Sequence, residues 1–203
     1  MKVMGIDPSL NCLGFFIYET KTMEIIDYGY VSNKNLDENE KILKIYNILS
    51  KVLEKYNIDA AGIEQEFYSR NVKTLRQLSH VHGAVVLLLS QHKIPYTYYS
   101  VMTLKSKVLN GMKNKKANGK KKTGKELKQE VANKIFEIFG KHNFIKDFTD
   151  DVTDAASAGI VYWLMNSMDT DTFNSSKSKN QKILDKNYLK INEIVGKKVY
   201  EIE

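Results

Sequence analysis

Gly5-Ile6-Asp7-Pro8-Ser9-Leu10-Asn11-Cys12-Leu13-Gly14-Phe15, with Val3-Met4 before it and Phe16-Ile17-Tyr18 after it, is the stretch from which the fold is read. Val3, Met4 and Ile6 make a short apolar run suited to a buried strand. Pro8, Ser9 and Asn11 supply turn residues that interrupt it. Phe15 to Tyr18 resume strand composition, so the stretch predicts a β-hairpin with Asp7 at its inner end. A carboxylate there is costly, because desolvating an ion costs several kcal/mol unless partners or a metal compensate it. Either Asp7 caps the turn in solvent, or groups from elsewhere in the chain answer its charge.

Outward from the hairpin, Met23 to Val31 is rich in β-branched and aromatic residues and predicts a third strand of an antiparallel meander. Ile42, Leu43, Ile45, Tyr46, Ile48, Leu49, Val52, Leu53 and Tyr56 then recur at three- and four-residue steps, the period of an amphipathic helix. Ala60 to Phe67 follows as a strand, and strand–helix–strand is a crossover, so it should lie parallel to the first. A second helix is expected over about Val72 to His92, with Leu75, Leu78, Val85 and Leu88 or Leu89 buried. Ile94 to Tyr99 is the fifth strand, and its Pro95 suits a sheet edge.

From Val101 the composition changes. Lys105 to Lys128 carries ten lysines against one acid, Glu126. A basic loop over 112–124 is expected between a short helix and a longer one, the latter with Val131, Ile135, Phe136, Ile138 and Phe139 inward and Gly140 as its stop. Thr149 to Leu164 predicts a last helix with acids in its first turn and small and apolar residues after. The division expected is one domain over 1–168, a polar linker over 169–181 and an appendage over 182–203.

Composition bounds the partners. The chain has 203 residues, 42% hydrophobic and 27% charged, which fits one globular domain. Cys12, the single cysteine, makes no internal disulfide. The apolar run Ala84 to Leu89 is too short to cross a bilayer, and Asp7 comes before any signal-peptide core, so a cytoplasmic protein without membrane contact is expected. The formal charge of +7 points to a polyanion.

Four carboxylates stand at positions the elements should bring together. Glu64 ends the strand expected beside that of Asp7, and Asp151 and Asp154, three apart, share a helix face. Capping alone would account for the helical pair. Gathered at one spot, the four would repel one another and raise their own pKa values unless a divalent cation joined them. Hard cations such as Mg²⁺ take oxygen ligands, and Mn²⁺ would satisfy the same oxygens.

Gly5-Ile6-Asp7-Pro8 with Gly14, then Ile63-Glu64-Gln65 with Phe67, then Asp151 and Asp154 followed by Ala155-Ala156 resemble the RuvC family of Holliday junction resolvases over roughly residues 1 to 167. Each motif is weak singly; three in order are specific. The resemblance implies an α/β, RNase H-like fold: a mixed five-stranded sheet, three strands antiparallel and then parallel ones, with helices on both faces. It implies that Asp7, Glu64, Asp151 and Asp154 are catalytic acids holding two Mg²⁺ ions. It also implies a homodimer that cuts Holliday junctions or other branched DNA in pairs, leaving 5′-phosphate and 3′-hydroxyl ends.

Departures from the family pattern qualify it. Ser9 stands where the family has glycine after Asp-Pro, so the turn is held differently. Glu66 shares the strand face of Glu64 and is a candidate substitute or helper for it; Asp150 shares the helix face of Asp154, but the family's Asp-x-x-Asp spacing favours Asp151. The basic loop is longer than in typical cellular members and the tail has no counterpart. A phage-like or mobile-element member, then located in the host cytoplasm, fits these departures.

For DNA, the resemblance places an aromatic that stacks on an unpaired base at Phe67, with Tyr68 beside it; such stacking is worth about 1–3 kcal/mol per base. Arg70, Lys73 and Arg76 open the next helix and are candidate phosphate contacts. Lys105 resembles the lysine kept after the fifth strand. Lys128 resembles a second lysine nearer the metals, with Lys125 as its competitor. Lys113, Lys115, Lys116, Lys120, Lys121 and Lys122 form a sequence-independent phosphate-binding run whose hold should weaken steeply with salt. The alternative on the same fold is a junction-binding protein whose acids are structural. The first phosphate loop of sugar kinases and actin also resembles Asp7 to Gly14, but the chain has neither room for their second lobe nor a Gly-rich adenosine loop.

Overall fold

The computed structural model describes residues 1–33, 35–65, 71–110, 120–140 and 149–166. Five strands form one mixed sheet in the order β3-β2-β1-β4-β5. β1 (Lys2–Asp7), β2 (Cys12–Glu19) and β3 (Glu24–Ser32) make the expected antiparallel meander. β4 (Ala60–Glu64) lies parallel to β1 with Ile6 opposite Ile63, and β5 (Tyr96–Tyr99) lies parallel to β4 at the edge. The expected nuclease domain falls mostly within the described residues; the linker and appendage over 169–203 lie outside them.

Helix α1 (Glu38–Lys55) starts in a capping box, in which the Asp37 carboxylate accepts from Glu40 N at 2.9 Å and Glu40 accepts from Asp37 N at 2.9 Å. It buries Ile45, Leu49 and Leu53, while Leu43, two residues before Ile45 and so on another side of the helix, points to solvent. Helix α2 (Val72–Gln91) buries Val81, His82, Val85, Leu88 and Leu89. Leu75 and Leu78, expected inside, are only half-buried. His82 stacks on the Tyr98 ring, with centroids 5.6 Å apart. Both helices cover one sheet face, packing on Met4, Ile6, Leu13, Ile17, Ala61 and Ile63.

The other face carries α3 (Val101–Val108), α4 (Gly124–Phe139) and α5 (Asp150–Asn166). Thr123 and Glu126 form a second capping box at the start of α4, and Val131, Ile135, Ile138 and Phe139 go inward while Phe136 stays half-buried. α5 lies across β1, β2 and β4 and is buried along most of its length. It can come so close because the sheet is bare beneath it. A Cβ on Gly5 would stand 1.8 Å from the carbonyl oxygen of Ala155, and one on Gly62 would stand 2.1 Å from that of Ala158. Glycine is required at both for space.

Candidate active site

Strand alternation decides which side chains meet α5. Gly5 and Asp7 are two apart on β1, and Gly62 and Glu64 are two apart on β4, so each acid shares its glycine's face. The β1–β4 register, carried one residue past Ile6 and Ile63, sets Asp7 beside Glu64. α5 then brings Asp151 and Asp154, in its first turns, over the same spot. The site is thus made where two parallel strand ends meet one helix start.

Burial raises the pKa of Asp7 well above the usual carboxylate range, and the charges of Glu64, Asp154 and Asp151 raise it further, with Lys128 opposing. Glu64 is pushed up to about 7, first by burial and then by Asp154, against Lys105 and Lys128. Asp154 is raised by burial despite Lys128 and Lys105. The lysines therefore offset the repulsion without cancelling it. Lys128 Nζ donates to Asp154 Oδ2 at 3.3 Å and to Asp150 Oδ2 at 3.5 Å. Burial would lower the pKa of Lys128, yet the two carboxylates leave it above its ordinary value.

Asp150 and Asp151 part company here. Asp150 is 79% exposed and meets Lys128 at the rim, whereas Asp151 is half-buried and its charge reaches Asp7. Among the described residues, no three His, Cys, Asp or Glu side chains already form a cage for a metal ion. The acids are gathered but not closed. Their chemistry nonetheless fits a hard divalent cation: all donors are carboxylate oxygens, partly desolvated, and short of positive charge.

The turn that carries Ser9 is held from outside. Asn33 donates from its backbone N to Asn11 O at 3.0 Å and from Nδ2 to Leu10 O at 2.9 Å, and Lys41 Nζ reaches Asn11 Oδ1 at 2.9 Å. The end of β3 and the first turns of α1 do what a turn glycine would leave to the backbone.

Of the expected DNA contacts, Lys105 lies near enough to Glu64 and Asp154 to act on both. Lys128, rather than its competitor Lys125, makes the contact with Asp154. Arg76 leans toward Glu38, 4.0 Å away, a carboxylate that also accepts from Gln77 and contacts His80. Lys122, from the expected phosphate-binding run, pairs with Glu130 at 2.6 Å and is 16% exposed. That pair ties the end of the loop to α4. Lys73, Lys120, Lys121 and Lys125 are exposed. Phe67, Tyr68, Arg70, Lys113, Lys115 and Lys116 lie outside the described residues, as does Glu66. What the sequence reading missed is the role of the glycines; the signal was a glycine two residues before each sheet acid.

A family model described as crossover junction endodeoxyribonuclease RuvC matches residues 3–137. The chain is 34% identical over 110 residues to a RuvC of Ehrlichia chaffeensis, covering 53% of this chain and 70% of that one. It is 29% identical over 162 residues to a RuvC of Brachyspira hyodysenteriae, covering 78% of this chain and 92% of that one. Among solved structures, Thermus thermophilus RuvC in complex with Holliday junction substrate matches with a TM-score of 0.63 at 19% identity, covering 80% of this chain and 94% of that one. That last likeness is one of fold.

Proposed function

The chain belongs to the RuvC family of crossover junction endodeoxyribonucleases, and on that premise we propose that it is a divalent-metal-dependent endonuclease that resolves Holliday junctions or related branched DNA. Asp7, Glu64, Asp151 and Asp154 are the residues that would hold the metal, two Mg²⁺ per site with Mn²⁺ as a substitute. The observation that carries this reading is the electrostatics of Asp7, a partly desolvated carboxylate pressed by three others and only partly relieved by Lys128. When bound, the divalent cations supply an activated water and stabilise the leaving oxygen of a phosphodiester.

The chain's own groups do the rest. The β1 and β4 ends hold Asp7 and Glu64 side by side, while α5 presents the helical pair from above. Lys128, held by Asp154 and Asp150, keeps its ammonium at the rim, where it can pair with the phosphate flanking the cut. Lys105 adds positive field on the Glu64 side. Hydrolysis that leaves the phosphate on the 5′ end frees a 3′-hydroxyl, the product ends a ligase can rejoin. A homodimer would present two such sites to two strands of one junction and so pair the cuts. Among the described residues no helix is long and apolar enough to cross a membrane.

The test is cleavage of a labelled immobile four-way junction against a linear duplex of the same sequence, with Mg²⁺ and with chelator. Wild type should give metal-dependent paired nicks near the branch point, and Asp7→Asn should lower the rate by roughly a thousandfold or more. Binding without cutting under any divalent metal would replace this function with junction binding alone. Equal cutting of linear duplex would remove the structure selectivity.

A further inference from the structure

Gly5 and Gly62 let α5 lie on the sheet, but Gly14 touches the site itself. Its Cα pairs with that of Asp7 across β1 and β2. A Cβ built on it would stand 2.2 Å from the carbonyl oxygen of Asp151, 2.5 Å from its carbonyl carbon and 3.1 Å from its Cβ. One buried residue therefore adjoins the carrier of one carboxylate and the backbone of another. Conformational freedom does not explain the glycine, since among the described residues only Gly140 has a glycine φ in the left-handed region. Space does. With any side chain at position 14, the first turn of α5 would have to rise by roughly 1 Å to restore van der Waals contact.

We propose that Gly14 is a positioning residue for the metal-binding acids: by presenting no side chain, it seats the Asp151 backbone on β2 and sets the separation of the Asp151 and Asp7 carboxylates. This rests on the reading of those acids as cation ligands. The clash differs in kind from those at Gly5 and Gly62, which fall on Ala155 and Ala158, further along α5. Lifting the helix at its first turn displaces Asp151 before anything else. Groups that orient metal ligands without touching the metal typically govern affinity by about 10–100-fold.

The experiment compares full-length wild type, Gly14→Ala and Leu49→Ala, the last a destabilising control on the opposite face. Thermal midpoints are followed as Mn²⁺ is titrated, alongside four-way-junction binding in chelator and junction cleavage. Gly14→Ala should raise the Mn²⁺ concentration for half-maximal stabilisation, and for half-maximal cleavage, by about tenfold or more. Its junction binding in chelator should stay within about twofold of wild type, and Leu49→Ala should keep a wild-type metal midpoint. A Gly14→Ala protein that loses thermal stability with an unchanged metal midpoint overturns the proposal, as does an equal shift in Leu49→Ala.

If Gly14→Ala does not fold, Asp151→Glu decides. In a seat of fixed height a longer carboxylate cannot replace the shorter one, so the metal midpoint should again rise by about tenfold; a wild-type midpoint overturns the role. A wild type whose thermal midpoint ignores Mn²⁺ overturns the underlying reading of the acids, and this role with it.

Discussion

Beneath α1 and α2 the sheet is covered by interdigitating side chains, with Met4, Ile6, Ile17 and Ile63 set among Ile45, Leu49, Val85 and Leu88. Beneath α5 the cover is backbone on backbone at Gly5, Gly14 and Gly62. The first face gains stability from apolar area and can absorb a lost methylene by partial collapse. The second has given up side-chain volume for a fixed separation, and it is the face that carries the carboxylates. It also keeps acids that raise one another's pKa, whereas Glu38, at the start of α1, finds Gln77, His80 and Arg76 as partners. Both faces bury an apolar core, but the reactive groups are placed only on the face where the helix backbone meets the sheet.

The contrast can be broken most sharply at Gly62. Gly62→Ala puts a Cβ 2.1 Å from the Ala158 carbonyl oxygen. It should lower junction cleavage by about a hundredfold or more, since misplacements near 1 Å cost that much. It should also cost about 1–3 kcal/mol in urea unfolding, the usual toll of overpacking. A stable, fully active Gly62→Ala protein would show that the backbone contact is dispensable. On the other face, Leu49→Ala should cost about 2–5 kcal/mol in the same unfolding experiment. Its cleavage rate per folded molecule should stay within about twofold of wild type, because Leu49 packs on the sheet face opposite α5. A matching loss of activity would erase the difference between the faces.

The acids themselves make the next prediction. The pKa of Glu64 is raised from 4.5 to about 7 in the folded, metal-free protein, so the native state holds this proton more tightly than the unfolded chain does. Stability from this group is therefore greatest at low pH and falls as pH rises between those two values. Glu64→Gln removes the penalty. In chelator it should be more stable than wild type at about pH 8, by at most ~3 kcal/mol, with the gain gone near pH 4. Thermal midpoints of the two proteins across that range check it, and a difference independent of pH would show that the penalty is absent. The smallest effect is expected at the rim. Lys128→Ala should reduce the slope of log junction affinity against log salt by about one, the share of a single phosphate contact. An unchanged slope in a salt titration would leave Lys128 to the carboxylates alone.

Much of this was legible along the chain. The hairpin around Asp7, the meander, the crossover to a parallel β4 and the acids at the start of α5 all followed from turn residues and from the periods of strand and helix. Helix phase was less legible. Leu43 reads as a core position and faces solvent, while His82, which no apolar stripe includes, is buried against Tyr98. Periodicity locates a stripe but not which end of it the neighbouring element covers. Charge was the least legible. Lys122 belongs to a basic run by composition, yet it pairs with Glu130 because the loop ends against α4. Spacing places both Asp150 and Asp151 within a turn of Asp154, and only the approach of α5 to β2 turns Asp151 toward Asp7 and leaves Asp150 at the rim.

The sequence by itself determined which acids the chain has, on which elements they sit and in what order, because those follow from local backbone preferences and from residue identity. Only the tertiary structure decided that they share a site, how far their pKa values rise and why three glycines face α5. Desolvation, Coulomb repulsion and steric exclusion act through space, and the space between Asp7 and Asp151 is set by contacts that no stretch of neighbouring residues contains.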